Sequence, residues 1–304
     1  MEYLRSVLST PGQRQRMIDK ALGGLDPAPD AVILDLEDGV PPDMKDTART
    51  MVAEAVARPP GGPARFVRVN ANAADRMDDD IHAVVRPGLD AIVLPKVERP
   101  EDVERVDGLL SSLEAQVGIT VGRTKLLISI ESAIGLLRAY ELAAASPRNL
   151  ALFLGGEDFS MDIGLPVSRR GAGREAIYAR SSIVIAAAAA RIFSIDQVVP
   201  DFRDLDGLRK NATFGRELGF TGSWCIHPTQ VGPVNEIYSP TLEEVELARR
   251  VVAAFDEAKA AGLGAVMMGG QFVEAPIVER AQRTLRLFES ISAAERGSGP
   301  SRIA

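Results

Sequence analysis

Eight short apolar runs recur along the chain, each followed by a helical stretch, and most of them end in a charged or polar residue. The runs begin at Arg5, Ala31, Phe66, Ala91, Leu126, Leu150, Ile195 and Thr221. Apolar runs of this length, bounded by turn residues, read as buried strands. Strand then helix, repeated eight times, predicts a (β/α)8 barrel, with a doubly wound open sheet as the alternative. The polar run ends favour the barrel. Asp35, Glu37, Asp38, Arg68, Asn70, Lys96, Glu131, Glu157, Asp158, Asp201 and His227 all fall at or just past the C-terminal end of a strand. A barrel gathers those ends on one face, whereas a flat sheet leaves most of them too far apart to cooperate.

The barrel is expected to occupy residues 1–237. Thr241 followed by Glu244 is a capping box, and it opens a helix over 242–261. A second helix is expected over 276–291, so residues 238–304 read as a C-terminal helical extension. The tail from about 295, rich in Gly, Ser and Arg, is expected to be disordered. With 304 residues, 46% of them hydrophobic, the chain can bury a core of this size. Its net charge of -7 disfavours nucleic acid or an anionic membrane as partner. No apolar span approaches the roughly 20 residues of a membrane helix, and no leader is evident, so the cytoplasm is the expected location. The single Cys225 excludes an internal disulfide and, lying in the apolar stretch SWCIHP, reads as packing rather than as a nucleophile.

The rim residues suggest chemistry. Glu131 and Asp158 follow consecutive strands. Two hard carboxylate ligands, completed by water and a substrate carboxylate, suit Mg2+, and no Cys or His cluster offers a zinc alternative. Each acid can equally serve the start of the helix that follows it. Arg68, in FVRVN, lies inside an apolar strand, where a cation without an anionic partner is unfavourable. It reads as a fixed charge for a carboxylate or a developing oxyanion, or as a salt bridge to Asp35, Glu37 or Asp38. Those three acids, in DLEDG, could hold metal-bound waters or orient Arg68, with helix-start electrostatics as the alternative for Asp38. Lys96 could form a Schiff base, but nothing beside it would depress its pKa, so ion pairing is expected. His227 reads as an acid–base group or as a hydrogen-bonded strand end.

The same residues carry a family resemblance. RSVLSTPG (5–12), DAVILDLEDGVPP (30–42), VRVN (67–70), DAIVLPKVE (90–98), ISIESAIG (128–135), GGEDFSMDIG (155–164), GFTGSWCIHPTQV (219–231) and the SP-T-EEV-A run from Ser239 follow one another in that order. The set resembles the citrate lyase beta-subunit family of the HpcH/HpaI aldolase superfamily, related to malyl-CoA and citramalyl-CoA lyases. The resemblance implies a (β/α)8 barrel with a C-terminal extension that packs on a neighbouring subunit, in a homotrimer or a hexamer. It implies Mg2+ on Glu131 and Asp158, an arginine for the reacting carbonyl or enolate at Arg68, and a Glu37–Asp38 pair near the metal waters. The implied reaction is reversible carbon–carbon cleavage of a 3-hydroxyacyl-CoA to an acyl-CoA and a 2-oxo acid. Arg5, Arg14 and Lys20, the basic residues of the first βα unit, are candidates for the CoA phosphates.

One departure stands out. Where the family usually carries an aspartate in a G-x-M-V-D-x-P stretch, this chain reads GGQFVEAP, with Glu274 at that position. In the CoA lyases that aspartate reaches a neighbouring subunit's site as acid–base group, so Glu274 is the candidate here. The longer arm leaves two alternatives open: a CoA-independent aldolase on hydroxy diacids, or a lapsed homologue that binds acyl-CoA.

Overall fold

The computed structural model describes residues 1–71, 76–165 and 176–297. Eight parallel strands pair in chain order and close into a barrel, β8 returning to β1. They are β1 (Ser6–Pro11), β2 (Ala31–Asp35), β3 (Ala64–Arg68), β4 (Ala91–Leu94), β5 (Lys125–Ile130), β6 (Asn149–Leu154), β7 (Phe193–Asp196) and β8 (Gly222–Cys225). Around them run α1 (Gln15–Gly23), α2 (Lys45–Val56), α3 (Arg76–Val84), α4 (Pro100–Val117), α5 (Ala133–Leu137), α6 (Ala139–Ala144), α7 (Gly156–Asp162), α8 (Ile177–Ala190), α9 (Leu205–Leu218) and α10 (Pro228–Tyr238).

The strands form where they do because their residues can be buried on both faces: all of β2 and all of β4 are buried. Helix ends follow ordinary chemistry. Pro100 opens α4, and Gly118 closes it with a φ of 74°. The helical stretch after β5 is broken at Arg138 into α5 and α6, and α10, which carries Pro233 inside it, intervenes before the helix expected over 242–261.

The chain divides into two compact units, Leu4–Ile237 and a smaller one containing most of the remainder. The smaller unit consists of α11 (Leu242–Ala260), an antiparallel hairpin of β9 (Val266–Met268) and β10 (Gln271–Val273), and α12 (Ala275–Glu295). Ala248, Val251, Val273, Val278 and Ala281 make its core. The capping box at Thr241 is formed in both directions. The hairpin, which was not expected, turns on Gly269 and Gly270, whose φ values of 58° and 81° suit a two-residue type I′ loop. The helix α12 runs to Glu295, and residues 298–304 of the expected disordered tail lie outside the described residues. Among the described residues no helix is long and apolar enough to cross a membrane.

Candidate active site

The C-terminal end of β2 anchors the site. Asp35 is the last residue of β2 and is paired in register with Arg68, the last of β3. Its Oδ1 accepts from Arg68 Nε and its Oδ2 from Arg68 Nη2, both at 2.7 Å. The same two oxygens also accept main-chain amides, Glu37 N and Gly39 N, both at 2.9 Å. Gly39 permits this approach, since a Cβ there would stand 2.5 Å from Asp35 Oδ2. One carboxylate thus aims the arginine and shapes the loop that carries the next two acids. Burial alone would raise the Asp35 pKa, but the Arg68 guanidinium and the two amides bring it below its ordinary value.

Glu37 is buried and bridges two cations. Its Oε2 lies 3.1 Å from Arg68 Nη1, and its Oε1 accepts from Lys96 Nζ at 2.9 Å. Burial still leaves its pKa raised. Asp38 is half exposed, 3.4 Å from Lys96 Nζ and 4.0 Å from Arg68 Nη1. Lys96 is therefore the ion-pairing lysine expected from the sequence, and its pKa stays above the ordinary value despite the cost of burial. Three of the five N–H groups of Arg68 face Asp35 and Glu37, which leaves donors for a further anion. Its guanidinium also stands 5.6 Å from the ring centroid of Trp224, on β8, which in turn packs on Phe153 of β6. The role of Trp224 escaped the sequence reading, although a lone tryptophan inside a four-residue strand was the available signal.

Across the barrel, Ile130 pairs with Leu154, so Glu131 and Gly155 leave their strands side by side. Gly155 makes room for the acid: a Cβ there would lie 2.4 Å from Glu131 Cγ. Glu131 does not cap the helix that follows, because Ser132 does, its Oγ accepting from Gly135 N. Glu131 is 5% exposed, and its Oε2 is buried with no hydrogen-bond partner. Burial pushes its carboxyl up to about 7; repulsion from Glu37 and Asp158 adds to this, and Ser129 and Arg68 offset only part of it. Asp158 sits in the first turn of α7 without making a side-chain cap. A buried carboxylate with an orphaned oxygen and acidic neighbours is a place where a divalent cation fits. Among the described residues no three acid, His or Cys side chains form a complete metal cage.

The other expectations divide. Arg5 is corrected: it precedes β1 at the N-terminal end of the barrel, is 6% exposed, and binds Asp30 through Nε (3.1 Å), Nη2 (2.9 Å) and its own amide (2.7 Å). A guanidinium sealed at that end cannot meet CoA phosphates on the opposite rim. Lys20 lies exposed in the last turn of α1, the turn that leads back toward the start of β2. Arg14 is exposed just past the end of β1, on the rim side. Glu274 lies in the smaller unit, exposed, at the N-cap position of α12 and without a cap bond. Asn70 is structural, its amide N and Nδ2 both donating to Asp80. His227 bonds Thr229 and stacks on Phe202 at 4.4 Å, which is the strand-end reading. Cys225 is fully buried, and its thiol pKa is pushed up by that burial.

The chain has relatives among known proteins. The sequence matches the HpcH/HpaI aldolase/citrate lyase family over residues 5–228. It is 37% identical over 285 residues to citrate lyase subunit beta of Leuconostoc mesenteroides subsp. cremoris, covering 93% of this chain and 92% of that protein. It is 36% identical over 291 residues to a (3S)-malyl-CoA thioesterase of Cereibacter sphaeroides, covering 95% and 96%. Among solved structures, the protein CitE from Mycobacterium tuberculosis, in complex with magnesium, acetoacetate and coenzyme A, superposes with a TM-score of 0.76 at 30% identity, covering 95% of this chain and 100% of that one. The chain belongs to the HpcH/HpaI aldolase/citrate lyase family, and it is a lyase.

Proposed function

We propose that the protein is a Mg2+-dependent carbon–carbon lyase that cleaves a small 3-hydroxyacyl-CoA, of the citryl-, malyl- or citramalyl-CoA type, into an acyl-CoA and a 2-oxo acid. The observation that carries this reading is the orphaned, buried carboxylate of Glu131 within reach of the Arg68 charge. Glu131 and Asp158 would hold the metal, which when bound polarises the 2-oxo acid carbonyl as a Lewis acid. Arg68, fixed by Asp35 and Glu37, binds the thioester oxygen through its remaining N–H donors and offsets the charge that develops there. Glu37 and Asp38 orient water at the rim.

In the cleavage direction the substrate hydroxyl loses its proton, and the bond between its carbon and the carbon next to the thioester breaks. The electron pair passes into the thioester enolate, and a proton delivered to that carbon completes the acyl-CoA. We assign the acid–base role to Glu274 of a neighbouring subunit in a homotrimer or hexamer, and CoA phosphate contact to Arg14. The deciding experiment supplies citryl-, malyl- and citramalyl-CoA with Mg2+ and follows the 2-oxo acid and the free thiol separately. Release of 2-oxo acid without thiol is expected. Thiol release alone would make the protein a thioesterase, and no product from any of the three would overturn the reading.

A further inference from the structure

We propose that Lys45 is a positioning residue for the acid pair Glu37–Asp38, an inference that rests on the reading of this rim as the reaction site. Lys45 is the first residue of α2, and its Nζ donates to two consecutive main-chain carbonyls, Leu36 O at 2.8 Å and Glu37 O at 2.7 Å. The β2 ladder ends just there. Leu36 N still donates to Arg68 O, but past that point the chain leaves the sheet and needs other partners for its polar groups. On the amide side the loop is held by the Asp35 carboxylate. On the carbonyl side, Gln13 Nε2 reaches Gly39 O at 3.0 Å, Lys45 takes Leu36 O and Glu37 O, and Val40 N also donates to Glu37 O at 2.9 Å.

The choice of partner is informative. Asp35, Glu37, Asp38 and Asp80 all lie within range of the Lys45 charge. A lysine in such company ordinarily pairs with a carboxylate, yet both hydrogen bonds described for this one go to the main chain. The ammonium offsets the acidic cluster without occupying a single carboxylate oxygen. Glu37 keeps Oε1 for Lys96 and Oε2 for Arg68, and Asp38 stays half exposed. Asp35 fixes the loop from one side and Lys45 from the other. The peptide planes that carry Glu37 and Asp38 are thus set by two opposite charges that take no part in the chemistry.

The test is a set of variants assayed on the thioester that the wild type cleaves. A displacement of about 1 Å at a reacting group lowers rates by about 100-fold. Lys45→Met is therefore expected to lower kcat by roughly 10- to 100-fold while KM changes less than about twofold. Lys45→Arg, which keeps the charge and two donors, should recover most of the rate. Lys45→Met combined with Glu37→Gln should be no slower than Glu37→Gln alone, as for residues that act as one unit. Losses that multiply, or an unchanged kcat in Lys45→Met, would overturn the proposal. Amide hydrogen exchange at residues 37–40 gives a second readout that needs no turnover. Faster exchange confined to that loop in Lys45→Met supports positioning even if the wild type cleaves none of the thioesters, whereas unchanged exchange in an inactive protein removes it. Should Lys45→Met not fold, Lys45→Gln carries the same comparison.

Discussion

Two glutamates in this barrel are buried almost equally, Glu114 at 0% and Glu131 at 5% exposure, and their surroundings are opposite. Glu114, near the end of α4, accepts the amides of Gly122 at 2.7 Å and Thr124 at 2.6 Å and pairs with Arg148 at 2.8 Å. All five N–H groups of Arg148 are engaged in turn, by Asp107, Glu114, Ser111 and the carbonyl of Thr124. Burial raises the Glu114 pKa, but Arg148 and the two amides bring it below the ordinary value. At Glu131 the sign reverses: burial is reinforced by acidic neighbours, and one oxygen has no donor. The first carboxylate is closed by its neighbours, whereas the second keeps one buried oxygen without a donor, which suits the proposed cation. The first site holds the barrel together, and the second reserves negative charge.

The comparison breaks most sharply under substitution. Glu131→Gln removes a proposed metal ligand, and Lewis-acid stabilisation worth several kcal/mol corresponds to a rate loss of about a thousandfold or more. The same change relieves an unpaired buried charge, so the metal-free variant should melt at or above the wild-type temperature at pH 8. Glu114→Gln should do the opposite. Removing one of the two acids paired with Arg148 lowers stability, by less than the ~3–5 kcal/mol of a fully uncompensated buried charge because Asp107 remains, while the folded fraction keeps its wild-type kcat. Paired melting curves and steady-state kinetics on the two variants decide the matter. A Glu131→Gln protein that keeps wild-type turnover would end the metal assignment.

Arg68 gives a somewhat smaller effect. Lysine preserves the charge but not the bidentate contact with Asp35 or the spare donors. Arg68→Lys should lower kcat by about 10²–10³-fold, the magnitude of a lost oxyanion donor. Arg148→Lys should change stability and leave kcat alone. Equal effects of the two on kcat would show that the distinction between closed and open clusters is wrong.

Much of this was legible in the sequence. The rim residues stood out because apolar runs stop abruptly at charged ones, and the alternatives for Arg68 already named its partners, Asp35 and Glu37. What the sequence could not reveal was which acid would be saturated. Asp35 meets Arg68 across 33 residues through strand register, and Glu131 is left open by the shape of the Gly155 turn, neither of which is a local property. Trp224 reaches Arg68 for the same non-local reason. Arg5 was misassigned by neglecting which end of β1 it flanks, although strand direction alone places it opposite the rim. The helix α10 was hidden by prolines at 228 and 233, while the Gly269–Gly270 hairpin carried a signal that was overlooked.

The gentlest test separates the two glutamates by pH. The Glu131 carboxyl titrates near 7 in the folded chain, above its ordinary 4.5. The unfolded chain therefore releases this proton first as pH rises, and the metal-free protein loses stability between about 4.5 and 7 on this account. The lowered pKa of Glu114 works the other way: its contribution is present above 4.5 and is lost only as pH falls through the folded value. On the proposed assignment Mg2+ displaces the Glu131 proton, so its affinity in the presence of pyruvate should rise about tenfold per pH unit up to 7 and level off above it. Calorimetric titration at pH 6, 7 and 8, in buffers of different ionisation enthalpy, measures both the affinity and the proton released. Equal affinities at pH 6 and 8 with no proton release would mean that Glu131 is already ionised without the metal, and the contrast with Glu114 would rest on hydrogen bonds alone.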